Sequence, residues 1–245
     1  MNDNNRNNLI VFAVILSLGF IIGALIIGNT WKKVSRSNVT ITVTGSAQKE
    51  IRSDLATWDA SFSAESPNLQ DAYAKLQVNN NKVKDYLVSK GFPSEKIQFT
   101  SINTTTLHGR SPQGIETEQV IGYRLSQNVS LESNDVDKVD KLSREATELI
   151  NQGIEINSMP PQFFYTKIGD LKVEMIGLAS KDAKTRAEQI ASSTGNQIGE
   201  VRSSRMGVIQ INAKNSTDIS DYGMNDVSSL EKTITTVVSV SFSIE

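Results

Sequence analysis

Most enzyme chemistry runs on histidine, cysteine and clustered carboxylates, and this chain is poor in all three. It has no cysteine and one histidine. Thiolate nucleophiles, disulfides and zinc–thiolate sites are therefore excluded. His108 stands in the turn-rich stretch His108-Gly-Arg-Ser-Pro-Gln-Gly114, without a cysteine or an acidic neighbour. A working imidazole needs a second group to orient it, so His108 reads as an exposed loop side chain. Gly109 and Gly114 have the glycine spacing of a phosphate loop. The Lys-Ser/Thr pair that must follow is absent, and the stretch joins two strands instead of a strand and a helix. Asp218-Ile-Ser-Asp221-Tyr-Gly223 has the outline of a calcium loop. Its ligand spacing is wrong, and Ser229 stands where a bidentate Glu is required. No serine has a base set beside it. Asn80 interrupts an apolar helical stripe; it reads as an amide satisfied by a neighbouring group, with a ligand contact as the alternative. These residues define no catalytic, cofactor-binding or metal site.

Bulk properties exclude further classes. The 245 residues allow one large or two small domains at roughly 150 residues each. A hydrophobic fraction of 38% is enough for a packed core, and the net charge is −2. Basic residues are scattered without aromatic interleaving, so neither duplex nor single-strand nucleic acid has a platform.

The residues that could position a site fall into a regular pattern. The longest amphipathic stretch runs from Gly169 to Gly199. Met175, Ile176, Ala179, Ala183, Ala187, Ile190 and Ala191 recur at steps of three and four and share one face. Alanine at every fourth position leaves a shallow groove that allows close packing. Asp170 can cap the start and Gly195 can end the helix. Before it, Val39–Gly45 and Leu55–Glu65 alternate as strands, the second with Trp58, Ala60, Phe62 and Ala64 on one face. Ser66-Pro67 opens a helix with Leu69, Tyr73, Leu76, Asn80, Val83 and Leu87 inward, closed by Gly91. Ile97–Leu107 and Val120–Leu131 form a hairpin. Asn134 caps a helix that Gly153 stops. Gln162–Thr166 and Ile198–Ile211 are further strands, Asn212–Ser229 is a polar loop, and Thr233–Ile244 is a strong strand. Three helices and about seven strands in this order predict an α+β fold, an antiparallel sheet with the helices packed on it.

Leu9–Ile27 is 19 residues without a charge. As a helix it spans about 28 Å, close to the hydrocarbon thickness of a bilayer. Its exit, Ala24-Leu-Ile-Ile-Gly-Asn-Thr, lacks the small-x-small site of a cleaved signal peptide. The expected organisation is a short polar N-terminus (1–8), a transmembrane anchor (9–28), a linker (29–38) and one domain (39–245). Lys32, Lys33 and Arg36 follow the segment and only Arg6 precedes it. The positive-inside rule alone would leave the domain in the cytoplasm.

Five stretches in order resemble the SIMPL-domain family: Ile-Thr-Val-Thr-Gly45 before Asp54-Leu-Ala; Gly91-Phe-Pro-Ser-Glu-Lys-Ile97 leading into a Thr-rich strand; Gly122-Tyr123-Arg-Leu-Ser-Gln-Asn-Val129; Ile154 to Phe164; and the alanine helix ending in Gly195-x-x-x-Gly199. The resemblance covers Val39 to Glu245. It implies a bacterial periplasmic or envelope protein, of the kind termed immunogenic or tied to oxidative-stress defence, that self-assembles into a large homo-oligomeric ring or cage. It implies no catalytic residues and no cofactor. Family members usually carry a cleaved signal peptide, whereas Leu9–Ile27 reads as a retained anchor. An exported family places the domain on the periplasmic side of the inner membrane, against the flanking charges.

Three functions compete. The expected one is a membrane-anchored, non-enzymatic envelope protein with a structural or interaction role. The alternative is a small-ligand-binding module beside Asn80 and the long helix. An enzyme without a recognisable motif comes third, because the usual catalytic groups are missing. Assembly has a motive in the strands. Thr233–Ile244 has no proline, and Glu231, Lys232 and Glu245 guard only its ends. Thr40–Thr44 is equally unguarded. A free edge of this kind pairs readily with another chain.

Overall fold

Apolar–polar alternation draws Thr40–Arg52 (β1) and Leu55–Ser66 (β2) into strands, and β1 runs on to Arg52, well past the expected end at Gly45. The computed structural model describes residues 3–37 and 39–244; the side chains of 3–11, 29 and 32–37 lie outside the description. The chain divides into two compact units. One takes Met1–Gln48, Lys172–Ile209 and Thr235–Glu245; the other takes Lys49–Leu171 and Gln210–Ile234.

The first unit begins with helix α1, Asp3–Ser37. Its described apolar side chains, from Phe12 to Ile27, are almost all exposed. Among the described residues no helix is long and apolar enough to cross a membrane. Leu9–Val11 of the expected span lie outside the described side chains. Helix α4, Ile168–Ser193, lays its alanine stripe on a sheet. Ala179, Ala183 and Ala187 are fully buried against Val43 of β1 and against Val238, Val240 and Phe242 of the C-terminal strand, Glu231–Ile244. The groove has a specific occupant. A Cβ on Gly45 would collide with Ala179 O and Ala183 N and stand 2.7 Å from Ala183 Cα. Glycine in β1 therefore brings the strand onto the backbone of α4. Ser46 N–H donates to Asp182 Oδ2 at 2.8 Å beside this contact.

The predicted α4 face holds except at Ile190, which is 48% exposed. Asp170 does not cap the helix, which starts two residues earlier and holds Asp170 in its first turn. Gly195, at φ +77°, closes it as expected. Ala187→Leu is expected to cost roughly 1–3 kcal/mol, because a large side chain must enter a filled interface. Lys184→Leu, on the exposed face, is expected to change little; denaturant midpoints of the two variants test the assignment.

The second unit is built on a sheet in which Ile97–Phe99 (β3), Glu116–Ser133 (β5), β2 and Glu155–Ser158 (β6) lie side by side. Asn103–Arg110 (β4) also pairs with β5, and Gln162–Phe164 (β7) also pairs with β2. Helices α2 (Leu69–Ser89) and α3 (Val136–Glu145) pack on it. A 3₁₀ segment, Ala146–Gln152, continues α3. Trp58, Phe62, Leu76, Leu87, Leu131 and Leu142 fill the core. Buried Trp58 donates from Nε1 to Ser158 Oγ at 2.9 Å, and Ser158 Oγ donates on to Ser143 O at 2.7 Å. The indole thus keeps its partner inside the core.

The α+β class stands, with several corrections in detail. Ser66 and Pro67 do not begin α2. Ser66 ends β2, and Asn68 is the cap, accepting from Gln70 N–H at 2.8 Å. Leu69 and Tyr73 are exposed, and the inner face is Ala72, Leu76, Val83, Tyr86 and Leu87. Asp135, not Asn134, caps α3; Asn134 instead donates to Asp54 O at 2.9 Å. The strand expected over Ile97–Leu107 breaks between Phe99 and Asn103. The strand expected over Ile198–Ile211 is two, Ile198–Met206 (β8) and Gln210–Ala213 (β9). Met224–Asn225 (β10), inside the expected polar loop, pairs with β9 in parallel, so the sheets are not purely antiparallel. Glu231–Ile244 (β11) has no free edge: in the first unit it lies between β1 and β8. The edge motive for assembly at β11 is therefore withdrawn, because the strand spends its hydrogen bonds within its own sheet.

Candidate functional site

The residues singled out for chemistry are scattered. His108 lies in strand β4, half-buried, at a register irregularity opposite Val120, and not in a loop. Gly114 takes φ +82° in the turn that follows. Asp218 is held by its own loop: Oδ2 accepts from Ser216 Oγ at 2.8 Å, and its carbonyl accepts from Asn212 Nδ2 at 2.5 Å. Asn80 Nδ2 donates to Gln127 Oε1 at 2.9 Å, and Gln127 Nε2 donates to Thr100 O at 2.7 Å. The amide is absorbed into the packing of α2 on the sheet. Among the described residues no group of three potential metal ligands comes together.

One ionic cluster is structural. Lys90, past the end of α2, meets Glu145 at 2.7 Å and Glu148 at 3.2 Å. The Glu145 carboxylate beside it holds the Lys90 ammonium above its ordinary range, and Lys90 in turn holds Glu145 below the usual carboxylate range. Tyr86 Oη donates to Glu145 O at 2.9 Å, and burial pushes its pKa up. This fastens α2 to α3 in a half-exposed setting.

The unexpected feature is Lys232. Its place makes it a charge guarding the end of β11, yet it is 2% exposed, among the largest fully buried side chains. Unpaired lysine is almost never buried. Its Nζ donates to Phe163 O at 2.6 Å and to Asp226 O at 2.5 Å, joining β7, the residue after β10, and β11 within the second unit. Burial lowers its pKa, and the Asp226 charge opposes that fall only in part. Asp226 Oδ1 accepts from Ser228 N–H at 2.9 Å and Ser228 Oγ at 2.7 Å. Asp226 Oδ2 is buried and has no hydrogen-bond partner among the described residues. Against its own burial, these bonds and Lys232 keep its pKa below the ordinary value. Beside the lysine is a cleft of about 60 Å³, lined by Phe164, Tyr165, Ile168, Ile211, Asn225 and Lys232. Polar residues pin the neighbouring loop: Gln210 Nε2 donates to Ser220 O at 2.6 Å, as Asn212 does to Asp218.

The sequence carried a weak signal for this cluster. Gln210 and Asn212 flank Ile211 in a β pattern, which places two amides on one face of a buried strand. Nothing local marks Lys232, because its acceptors come from Phe163 and Asp226.

Fold and side chains together define an α+β domain of two units with a buried polar cluster around one lysine. A family model described as "SIMPL: Protein of unknown function (DUF541)" matches residues 41–242, and the chain belongs to that family. No curated protein matches it significantly. Two glycines of the stretches quoted above acquire a physical reason. Gly45 meets the backbone of α4, and a Cβ on Gly122 would stand 3.0 Å from Ser66 O.

Proposed function

We propose that this SIMPL domain is carried on a retained N-terminal membrane anchor, with the domain on the periplasmic side of a bacterial inner membrane. There it self-assembles into a homo-oligomer with a structural or interaction role and no catalysis. The anchor reading rests on the uncharged Leu9–Ile27 stretch in helix α1, whose described side chains are exposed and apolar. Water does not tolerate such a helix face alone; lipid does.

The observation that carries assembly is the β4–β5 hairpin. Among the described residues β4 pairs with β5 alone and leaves its other edge open. Ile115, Val120 and Ile121 on its partner and turn are 67%, 46% and 55% exposed. An open edge beside exposed apolar side chains suits a second copy of the chain, and identical contacts favour closed symmetry. Sedimentation of the full chain in mild detergent is expected to give one species of several protomers. Ile121→Lys is expected to shift it towards the monomer without lowering the unfolding midpoint. A monomer that persists on tenfold concentration overturns assembly. Intact mass from the native host tests the anchor separately: a mature N-terminus between Gly28 and Ser37 overturns it. Protease access to the domain in spheroplasts tests its side of the membrane.

A further inference from the structure

A lysine ammonium carries three N–H donors. Lys232 uses two, on Phe163 O and Asp226 O. No hydrogen bond from the third is found among the described residues, and the side chain forms part of the cleft wall. A buried donor left unmade costs the full desolvation of that group, so the cleft has a place for an acceptor. A second donor is close by. Asn225, on β10, also lines the cleft, is exposed, and shows no side-chain hydrogen bond among the described residues. The remaining walls are Phe164, Tyr165, Ile168 and Ile211. No carboxylate lines the cleft.

This arrangement has the form of a small-ligand site: apolar walls with a few convergent polar groups. Its polar groups are the Lys232 cation, the Asn225 amide and the Tyr165 hydroxyl, a set of donors that suits a compact anion. About 60 Å³ admits a small head group with a short chain, not a sugar or a nucleotide.

We propose that the cleft beside Lys232 binds a short-chain monocarboxylate, the carboxylate on Lys232 Nζ and Asn225 Nδ2 and the alkyl group against Ile168 and Ile211. The site lies within the second unit and stands or falls independently of assembly and anchoring.

Calorimetric titration of the full chain in mild detergent with sodium acetate, propionate and butyrate tests it. Sodium chloride at matched ionic strength and sodium phosphate are the comparisons. Saturable binding of at least one carboxylate is expected, with neither chloride nor phosphate matching it. Asn225→Ala is expected to weaken that binding roughly tenfold, the loss of one hydrogen bond to a charged group. Lys232→Met is expected to abolish it. Should Lys232→Met fail to fold, Asn225→Ala decides, since Asn225 is exposed and its side chain holds no part of the fold by hydrogen bonding. Heat that does not saturate for any carboxylate, an equal response to chloride or phosphate, or unchanged affinity in Asn225→Ala overturns the proposal and leaves the third donor to water.

Discussion

Gly45→Ala is expected to lower the unfolding free energy by about 3 kcal/mol, at the upper end of overpacking costs. The added methyl meets Ala179 O and Ala183 N, which are main-chain atoms and cannot rotate aside. Helix α4 must lift from β1, loosening the contacts of Ala179, Ala183 and Ala187 with Val43 and Phe242. The same exchange at Gly177 has the opposite sign. Gly177 lies inside α4 with nothing within 4 Å of an added Cβ. Alanine there is expected to stabilise by about 0.5–1 kcal/mol, through helix propensity alone. Denaturant unfolding of both variants checks the pair. Equal effects would show that the close approach at Gly45 does not hold the strand to the helix.

Lys232→Met is expected to cost about 3 kcal/mol. Methionine keeps most of the aliphatic stem, so the loss isolates the ammonium. Removing it leaves Phe163 O and Asp226 O without their donor and the buried Asp226 carboxylate without its countercharge. Each group then bears a desolvation cost that nothing offsets. Lys90→Met removes an ammonium with two carboxylate partners, yet it is expected to matter far less. Its side chain is 29% exposed, that of Glu148 is 55% exposed, and water replaces the lost bonds. Unfolding midpoints of the two variants under one condition compare burial with pairing directly. A loss at Lys90 equal to that at Lys232 would show that burial is not what makes Lys232 important.

Local pattern made much of the fold legible. Trp58, Ala60, Phe62 and Ala64 share a buried face because β side chains alternate, and the α4 alanines share one because a helix repeats every 3.6 residues. Gly91, Gly153 and Gly195 end their helices at positive φ, a property of the residue itself. The family stretches also show in order, because each is local. The residues weighed for chemistry stay apart: His108 lies in β4, Asn80 bonds to Gln127 of β5, and Asp218 is held within its own loop.

Tertiary structure decided what depends on partners far along the chain. An alternating pattern names the face of β11 but not its neighbours, so whether the strand was an edge or an interior one waited on β1 and β8. Asn68 rather than Ser66 caps α2 because β2 runs on to Ser66, which pairs with Tyr123 of β5. Lys232 is the sharpest case. By composition it is a surface charge at a strand end. It is buried because Phe163 O, 69 residues away, and Asp226 O converge on its nitrogen. A lysine enters a protein interior only where acceptors already wait for it, and acceptors supplied by other strands leave no trace in the residues on either side of it.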